Sequence, residues 1–169
     1  MNRPFRSLRP HGARSLRSHG ARTLARLAVL GACCLLAACS WLGFSKSAAV
    51  SQIKVVAEVN ANQNAATQLD VVFVYDSNVT GLLPATGPDW FQKKDALTAG
   101  LATAIDVVSL QVPPATLATA KLPKRHGKAI GVYVYANYLT AAGQPKGNIT
   151  PYKNVTIWLT PTTVTYQSQ

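Results

Sequence analysis

Few residues of this chain have types and spacing that could do chemistry, and the clearest is a cysteine. Cys39 closes the run Leu36-Ala37-Ala38-Cys39 at the end of an uncharged stretch. Small side chains before the cysteine fit a peptidase cleft, and the thiol just beyond the cut is a nucleophile that can accept diacylglycerol. Against this, His126 sits in Lys124-Arg-His-Gly-Lys128 with no carboxylate nearby in sequence, and reads as a solvated loop histidine. Asp70, Asp76, Asp89, Asp95 and Asp106 are scattered, and no pair has a spacing that demands general acid–base work. There is no Gly-rich phosphate loop, no His-x-x-x-His and no Gly-x-Ser-x-Gly. The expectation is a protein that is not an enzyme, with no catalytic residues, no metal and no cofactor beyond the diacylglycerol and N-acyl lipid carried on Cys39.

The elements around Cys39 support that chemistry. Residues 1–26 hold a weak repeat, Arg6-Ser-Leu-Arg-Pro-His-Gly-Ala13 followed by Arg14-Ser-Leu-Arg-Ser-His-Gly-Ala21, with no apolar face to bury. Leu27–Ala38 follows, an uncharged run of about twelve residues, the length of a signal h-region and too short for a permanent membrane span. The run ends in what resembles a bacterial lipobox. A second match, Leu30-Gly31-Ala32-Cys33, would leave an h-region of only about six residues, so Cys39 is preferred. Residues 1–38 are therefore read as a lipoprotein signal peptide, 39–50 as a lipidated tether and 51–169 as the folded domain. Ser40, standing where Asp would retain the protein at the inner membrane, points by resemblance to other lipoproteins to the periplasmic face of the outer membrane.

This division removes two misleading features. The net charge of +11 suggests nucleic acid or an anionic surface, but seven arginines lie in residues 3–26 with no acidic residue beside them. From Cys39 onward ten Lys or Arg face six Asp or Glu, a net of +4. That is ordinary for a domain and makes no case for nucleic acid. Cleavage before Cys39 also discards Cys33 and Cys34, so the mature chain has no thiol left for a disulfide or a cysteine-based metal site.

The mature domain reads as mostly strand. Ser51–Val59 alternates, with Ile53, Val55, Ala57 and Val59 on one face. Leu69–Tyr75 is a continuous β-branched and aromatic run, as for a strand covered on both sides. Asp89–Thr98 forms the only convincing helix, with Pro88 or Asp89 opening it. Strands are expected at Ile105–Val112, Thr116–Leu122, Ala129–Tyr138, Val155–Leu159 and Thr162–Gln167. Seven to eight short strands with Gly/Pro turns predict a mainly β protein, a β-sandwich with one added short helix.

Three surfaces remain open. Asn60–Gln68 is longer than a tight hairpin needs; it is either a plain connection or a recognition loop on a rigid scaffold. Lys124, Arg125 and Lys128 read as a charged hairpin tip, with docking of an acidic partner or lipid headgroups as the alternative. Tyr133, Tyr135 and Tyr138 read as packing, with a partner surface that includes Trp158 as the alternative.

The order of these blocks resembles a known family. A lipobox is followed by a strand, an Asn-rich loop and an apolar strand ending Val71-Val-Phe-Val-Tyr75. Then come Asp89-Trp-Phe-Gln-Lys-Lys-Asp-Ala-Leu97, a strand closing on Pro113-Pro114, and Ile130–Tyr138. Together these look like the TssJ family, the outer-membrane lipoprotein of the type VI secretion system. The chain departs from it in having Phe73 where the family has Arg, Asp76-Ser77 where it has Gln-Leu, and Pro113-Pro114 for Pro-Gly, as a divergent member would. The resemblance implies a transthyretin-like β-sandwich that anchors the secretion membrane complex. Its implied partners are the outer membrane, through the lipid, and the periplasmic domain of the inner-membrane subunit TssM, with no small-molecule substrate. The implied contact is the loop between the first two strands, here Asn60, Asn62, Gln63, Asn64, Thr67 and Gln68. A ligand-binding or adhesive lipoprotein unrelated to secretion is the competing reading.

Overall fold

The computed structural model describes residues 47–169. Cys39, the signal segment and most of the tether lie outside the described residues. The strands are β1 (Gln52–Ala57), β2 (Thr67–Val74), β3 (Ile105–Val112), β4 (Leu117–Thr119), β5 (Gly131–Ala136), β6 (Gly147–Asn148), β7 (Asn154–Leu159) and β8 (Val164–Ser168). Among the described residues there is one α-helix, α1 (Gly87–Gly100), between β2 and β3. Two four-stranded sheets form, in the orders β4-β1-β7-β8 and β3-β2-β5-β6. The mainly β sandwich with one helix is the architecture expected from the sequence.

The alternation in β1 explains the inner layer. Ile53, Val55 and Ala57 point into the space between the sheets, where they meet Leu69, Val71 and Phe73 of β2 and Val132 and Val134 of β5. Val155, Ile157 and Leu159 of β7 complete that side, because β7 runs parallel to β1 and in register with it. Val59, expected on the same face, is instead 77% exposed: β1 leaves the sheet at Ala57, and the alternation ends with the ladder. The core starts earlier than the tether boundary drawn from sequence. Ala48 and Val50 are buried, and the Ala48 amide donates to the Ala129 carbonyl at 2.6 Å. Short, apolar and next to β1, these residues add to the core, so the domain takes in residues 48–50.

β2 is covered on both faces, as its unbroken apolar run requires. Its second face carries Val72 and Val74 against Trp90, Tyr135, Ile105, Val79 and Leu83 in a separate cluster beneath α1. Each large side chain fully buried here contributes roughly 1.5–3 kcal/mol. α1 begins two residues before the expected start. Thr86 caps it by accepting from the Asp89 amide at 3.3 Å, Pro88 stands in the first turn, and Asp89 complements the helix dipole. Gly87 is required by close approach, since a Cβ there would overlap the Ala136 carbonyl oxygen of β5.

Asp70 fixes the helix to the sheet. Its fully buried carboxylate accepts from the Trp90 indole N–H and from Lys94 Nζ, both at 2.8 Å through Oδ2. Trp90 stacks on Tyr135 with ring centroids 4.7 Å apart and planes 8° from parallel. The Tyr135 hydroxyl in turn donates to the Pro84 carbonyl at 2.8 Å. Removing one partner of a buried pair strands the other charge, at a cost of about 3–5 kcal/mol. Lys94→Met is thus expected to destabilise the domain by about 3 kcal/mol in urea unfolding, and Asp70→Leu added to it to restore a large part. Additive losses would show that the two side chains are not coupled.

Burial holds several tyrosines in their neutral form. It raises the phenols of Tyr75, Tyr135 and Tyr166 above the ordinary range, and pushes Tyr138 up to about 12, with the Glu58 charge adding to the effect. A raised folded value means that this stability is intact below about pH 10, where unfolded tyrosine ionises, and is lost as pH rises through the folded value. In an alkaline titration, the phenolate absorbance of these four is expected to appear together with loss of the near-ultraviolet circular dichroism. Their ionisation in a domain that keeps its tertiary signal would contradict this.

Candidate functional site

The connections gather at the two ends of the sandwich, and the Asn-rich segment lies at the end where β1 finishes and β2 begins. After β1 the chain turns through Ala61–Asn64, and Asn62, Gln63 and Asn64 adopt left-handed backbone in succession, with φ of 48°, 55° and 65°. For a side-chain-bearing residue this costs roughly 1–2 kcal/mol, less for Asn, whose short amide can bond locally. The conformation is held by the surrounding loops. Asn62 is 2% exposed, its Nδ2 donates to the Asn137 carbonyl at 3.2 Å, and its Oδ1 accepts from the Leu139 amide at 2.8 Å. Its own backbone N–H donates to the Thr160 carbonyl at 3.0 Å. One residue thus clasps three connections: its side chain ties β1–β2 to β5–β6, and its backbone N–H ties it to β7–β8.

Neighbouring bonds extend the clasp. The Tyr138 hydroxyl donates to the Thr160 carbonyl at 2.7 Å, Gln144 Nε2 to the Tyr138 carbonyl at 3.0 Å, and Thr140 Oγ1 to the Thr162 carbonyl. The β3–β4 turn joins through Glu58, whose carbonyl accepts from the Ala115 amide at 3.0 Å. Ala115 is also left-handed, with φ of 57°.

The residues expected at a contact therefore divide. Gln63, Asn64 and Asn60 are exposed, and Gln68 is half-buried where β2 begins. Asn62 and Thr67 are buried and cannot meet a partner as the fold stands. Asn62 is spent on the three loops, and Thr67 lies inside the β2–β3 pairing opposite Val112. Beside the exposed loop residues runs an open groove of about 590 Å³, lined by Val56–Asn60, Ala115–Leu117 and Trp158. Val59 and Leu117 are 77% and 72% exposed on it. Sequence reasoning missed this groove because Val59 was expected inside. The signal available was Leu117, an apolar residue on a short, weak strand.

The other candidates are separated by the fold. Tyr135 is fully buried under α1 and Tyr138 is buried in the inner core. Tyr133 lies in one sheet and Trp158 in the other, so they form no shared patch. Arg125, expected at a charged tip, folds back onto Asp106, with Nε to Oδ2 at 2.9 Å and Nη2 to Oδ1 at 3.0 Å. Its guanidinium lies 4.0 Å from the ring centre of Tyr75, whose hydroxyl also donates to Asp106 at 2.7 Å. Hydrogen bonding from Arg125 holds the Asp106 carboxyl below its ordinary value. His126 places Nδ1 2.9 Å from the Pro123 carbonyl oxygen of its own loop. Among the described residues, no group of three or more His, Cys, Asp or Glu side chains is placed to hold a metal ion.

Asn62 and Gln63 test the clasp against each other. Asn62→Ala leaves the Leu139 amide and the Asn137 carbonyl without their partner and is expected to cost about 2–3 kcal/mol. Gln63→Gly relieves left-handed strain and should raise stability by up to about 1 kcal/mol in the same urea melts. Equal and small effects would show that the loop is not held in this way.

No protein-family model matches the sequence, and the comparison with curated proteins found no match. Among solved structures, the chain is similar to the type VI secretion lipoprotein TssJ from Pseudomonas aeruginosa, at 12% identity and a TM-score of 0.49 over 70% of this chain and 94% of that one. It is similar to Lip from Serratia marcescens, a membrane-bound component of the type VI secretion system, at 10% identity and a TM-score of 0.49 over 71% and 99%. A chain of a type VI membrane complex aligns at 16% identity and a TM-score of 0.45 over 69% and 95%.

Proposed function

We propose that this protein is a non-catalytic, lipid-anchored component of a type VI secretion membrane complex. It sits on the periplasmic face of the outer membrane through Cys39, and its loop end binds the periplasmic domain of a TssM-like inner-membrane subunit. The lipobox and its preceding h-region support the anchor, and the block order from the lipobox to Tyr138 supports the family. The observation that carries the binding role is the clasped loop end: Gln63 and Asn64 are held outward in a fixed left-handed turn beside exposed Val59 and Leu117. A rigid polar loop next to an apolar groove has the composition of a protein contact, and its preorganisation lowers the ordering cost of binding.

Deleting the whole Asn60–Gln68 segment would also remove Asn62 and the start of β2, so point changes are the appropriate probe. With the acylated protein in its native membrane, Gln63→Arg and Leu117→Asp are expected to cut co-purification of the inner-membrane subunit at least tenfold while leaving the melting curve in place. Full recovery with both changes would refute the contact. In the same preparation Cys39→Ala should move the protein from the membrane to the soluble periplasmic fraction, and retention would refute lipidation at that residue.

A further inference from the structure

The two ends of the sandwich differ sharply in charge. At the loop end, residues 58–66, 113–116, 137–144 and 160–163 contain a single charged side chain, Glu58. The opposite end holds Lys121, Lys124 and Lys128 in the β4–β5 connection and Lys153 just before β7, all exposed. β4 runs antiparallel to β1, and the Ala120 amide donates to the Ile53 carbonyl at 3.0 Å, which brings the connection to the end where β1 starts. Lys153 is there too, its carbonyl accepting from the Ser51 amide at 2.8 Å. None of the four lysines makes an ion pair among the described residues. Of the acids at this end, Asp106 is neutralised by Arg125, which leaves Asp76 alone against four lysines.

The chain also enters the domain at this end. Ala48 is bonded to Ala129, next to Lys128, so the start of the fold lies among the lysines. From Cys39 to Ser47 there are eight residue steps, which span at most about 28 Å when fully extended. An eight-residue strand such as β2 is already about 26 Å long. To lay the loop end on the membrane, the tether would have to stretch straight along the whole height of the sandwich. Screening confines charge attraction to about 10 Å at ordinary ionic strength. With the tether slack, the basic end is the one that can come within that range.

We infer that the basic end rests on the headgroups of an anionic phospholipid surface through Lys121, Lys124, Lys128 and Lys153. This orients the domain with its loop end away from the membrane. The inference rests on the lipid-anchor reading for the tether, but the lysine contact can be tested without the lipid. The described residues contain both cores of the domain, so residues 39–169 carrying Cys39→Ala serve as the unacylated protein.

That protein is expected to co-sediment with vesicles of phosphatidylglycerol and phosphatidylcholine in 50 mM salt. It should remain in solution with phosphatidylcholine alone, or when the salt is raised to 500 mM. Each single Lys→Ala change among the four should weaken binding about fivefold, and K121E/K124E/K128E/K153E should abolish it. The control Lys93→Glu, on α1, should retain binding. The single Lys→Ala variants, checked by near-ultraviolet circular dichroism, keep the test valid if the fourfold variant misfolds. Absence of binding to anionic vesicles would overturn the inference and leave an acidic protein as the occupant of this end. Equal binding to neutral vesicles would also overturn it, assigning the contact to Trp41, Leu42 and Phe44 of the tether. So would equal loss in the control. Failure of the anchor itself is read separately, from the fractionation of Cys39→Ala in cells.

Discussion

The three-layer arrangement depends on a carboxylate placed where carboxylates are costly. β2 lies in the middle of its sheet and must bury both faces, but only one of them meets the other sheet. The second face needs α1, whose apolar surface is modest: Gly87 and Trp90 are its only fully buried residues. The helix is therefore held by pointed contacts more than by area. Asp70 receives the Trp90 indole and the Lys94 ammonium, and the stacked Trp90–Tyr135 pair fills the space beside them. A buried ion pair of this kind adds little net stability over an apolar substitute, yet it penalises every other placement of the helix, because any shift leaves a charge unpaired. Register and orientation are what it secures.

With no thiol remaining beyond Cys39, the ends of the sandwich must also be closed by hydrogen bonds. Each end uses one side chain to gather several segments. At the loop end it is Asn62, neutral and inward, joining segments more than seventy residues apart. At the basic end it is Arg125, which reaches Asp106, the Thr103 carbonyl and the face of Tyr75. The choice of residue sets the surface left over. A neutral clasp leaves a polar, almost uncharged end with an apolar groove. A cationic clasp consumes the nearby carboxylate and leaves its neighbouring lysines opposed by Asp76 alone.

How much of this could be read from sequence follows from the range of the interactions. β3 was legible to its boundaries, since Ile105–Val112 is closed by Pro113-Pro114 and needs no tertiary information. The double burial of β2 was legible from its unbroken run. The roles within Asn60–Gln68 were not, because Asn is equally at home in an exposed turn and in a buried clasp. Only the arrival of Asn137, Leu139 and Thr160 decides between them. Tyr133 and Tyr135 likewise share one face of β5 by alternation, yet only Tyr135 is fully buried, under a helix that begins more than thirty residues earlier. Arg125 looked like a free charge because its carboxylate lies nineteen residues away on β3.

The contacts proposed for the two ends would be two different kinds of recognition. Lysines facing a charged lipid layer act at the range of the Debye length, tolerate imprecise geometry and weaken with salt. The loop end has almost no charge with which to steer a partner, so contact there must depend on shape, apolar burial and short hydrogen bonds. Such contact would be specific only if the loop is already in place, and three successive residues held in left-handed backbone are consistent with that. The proposed electrostatic hold at one end and a neutral, hydrogen-bonded surface at the other would suit a domain on a tether that, if Cys39 carries the lipid, spans less than about 30 Å. On the proposed anchor, a basic end resting on the membrane would limit how the domain tilts, and the loop end would then be presented at a nearly constant height.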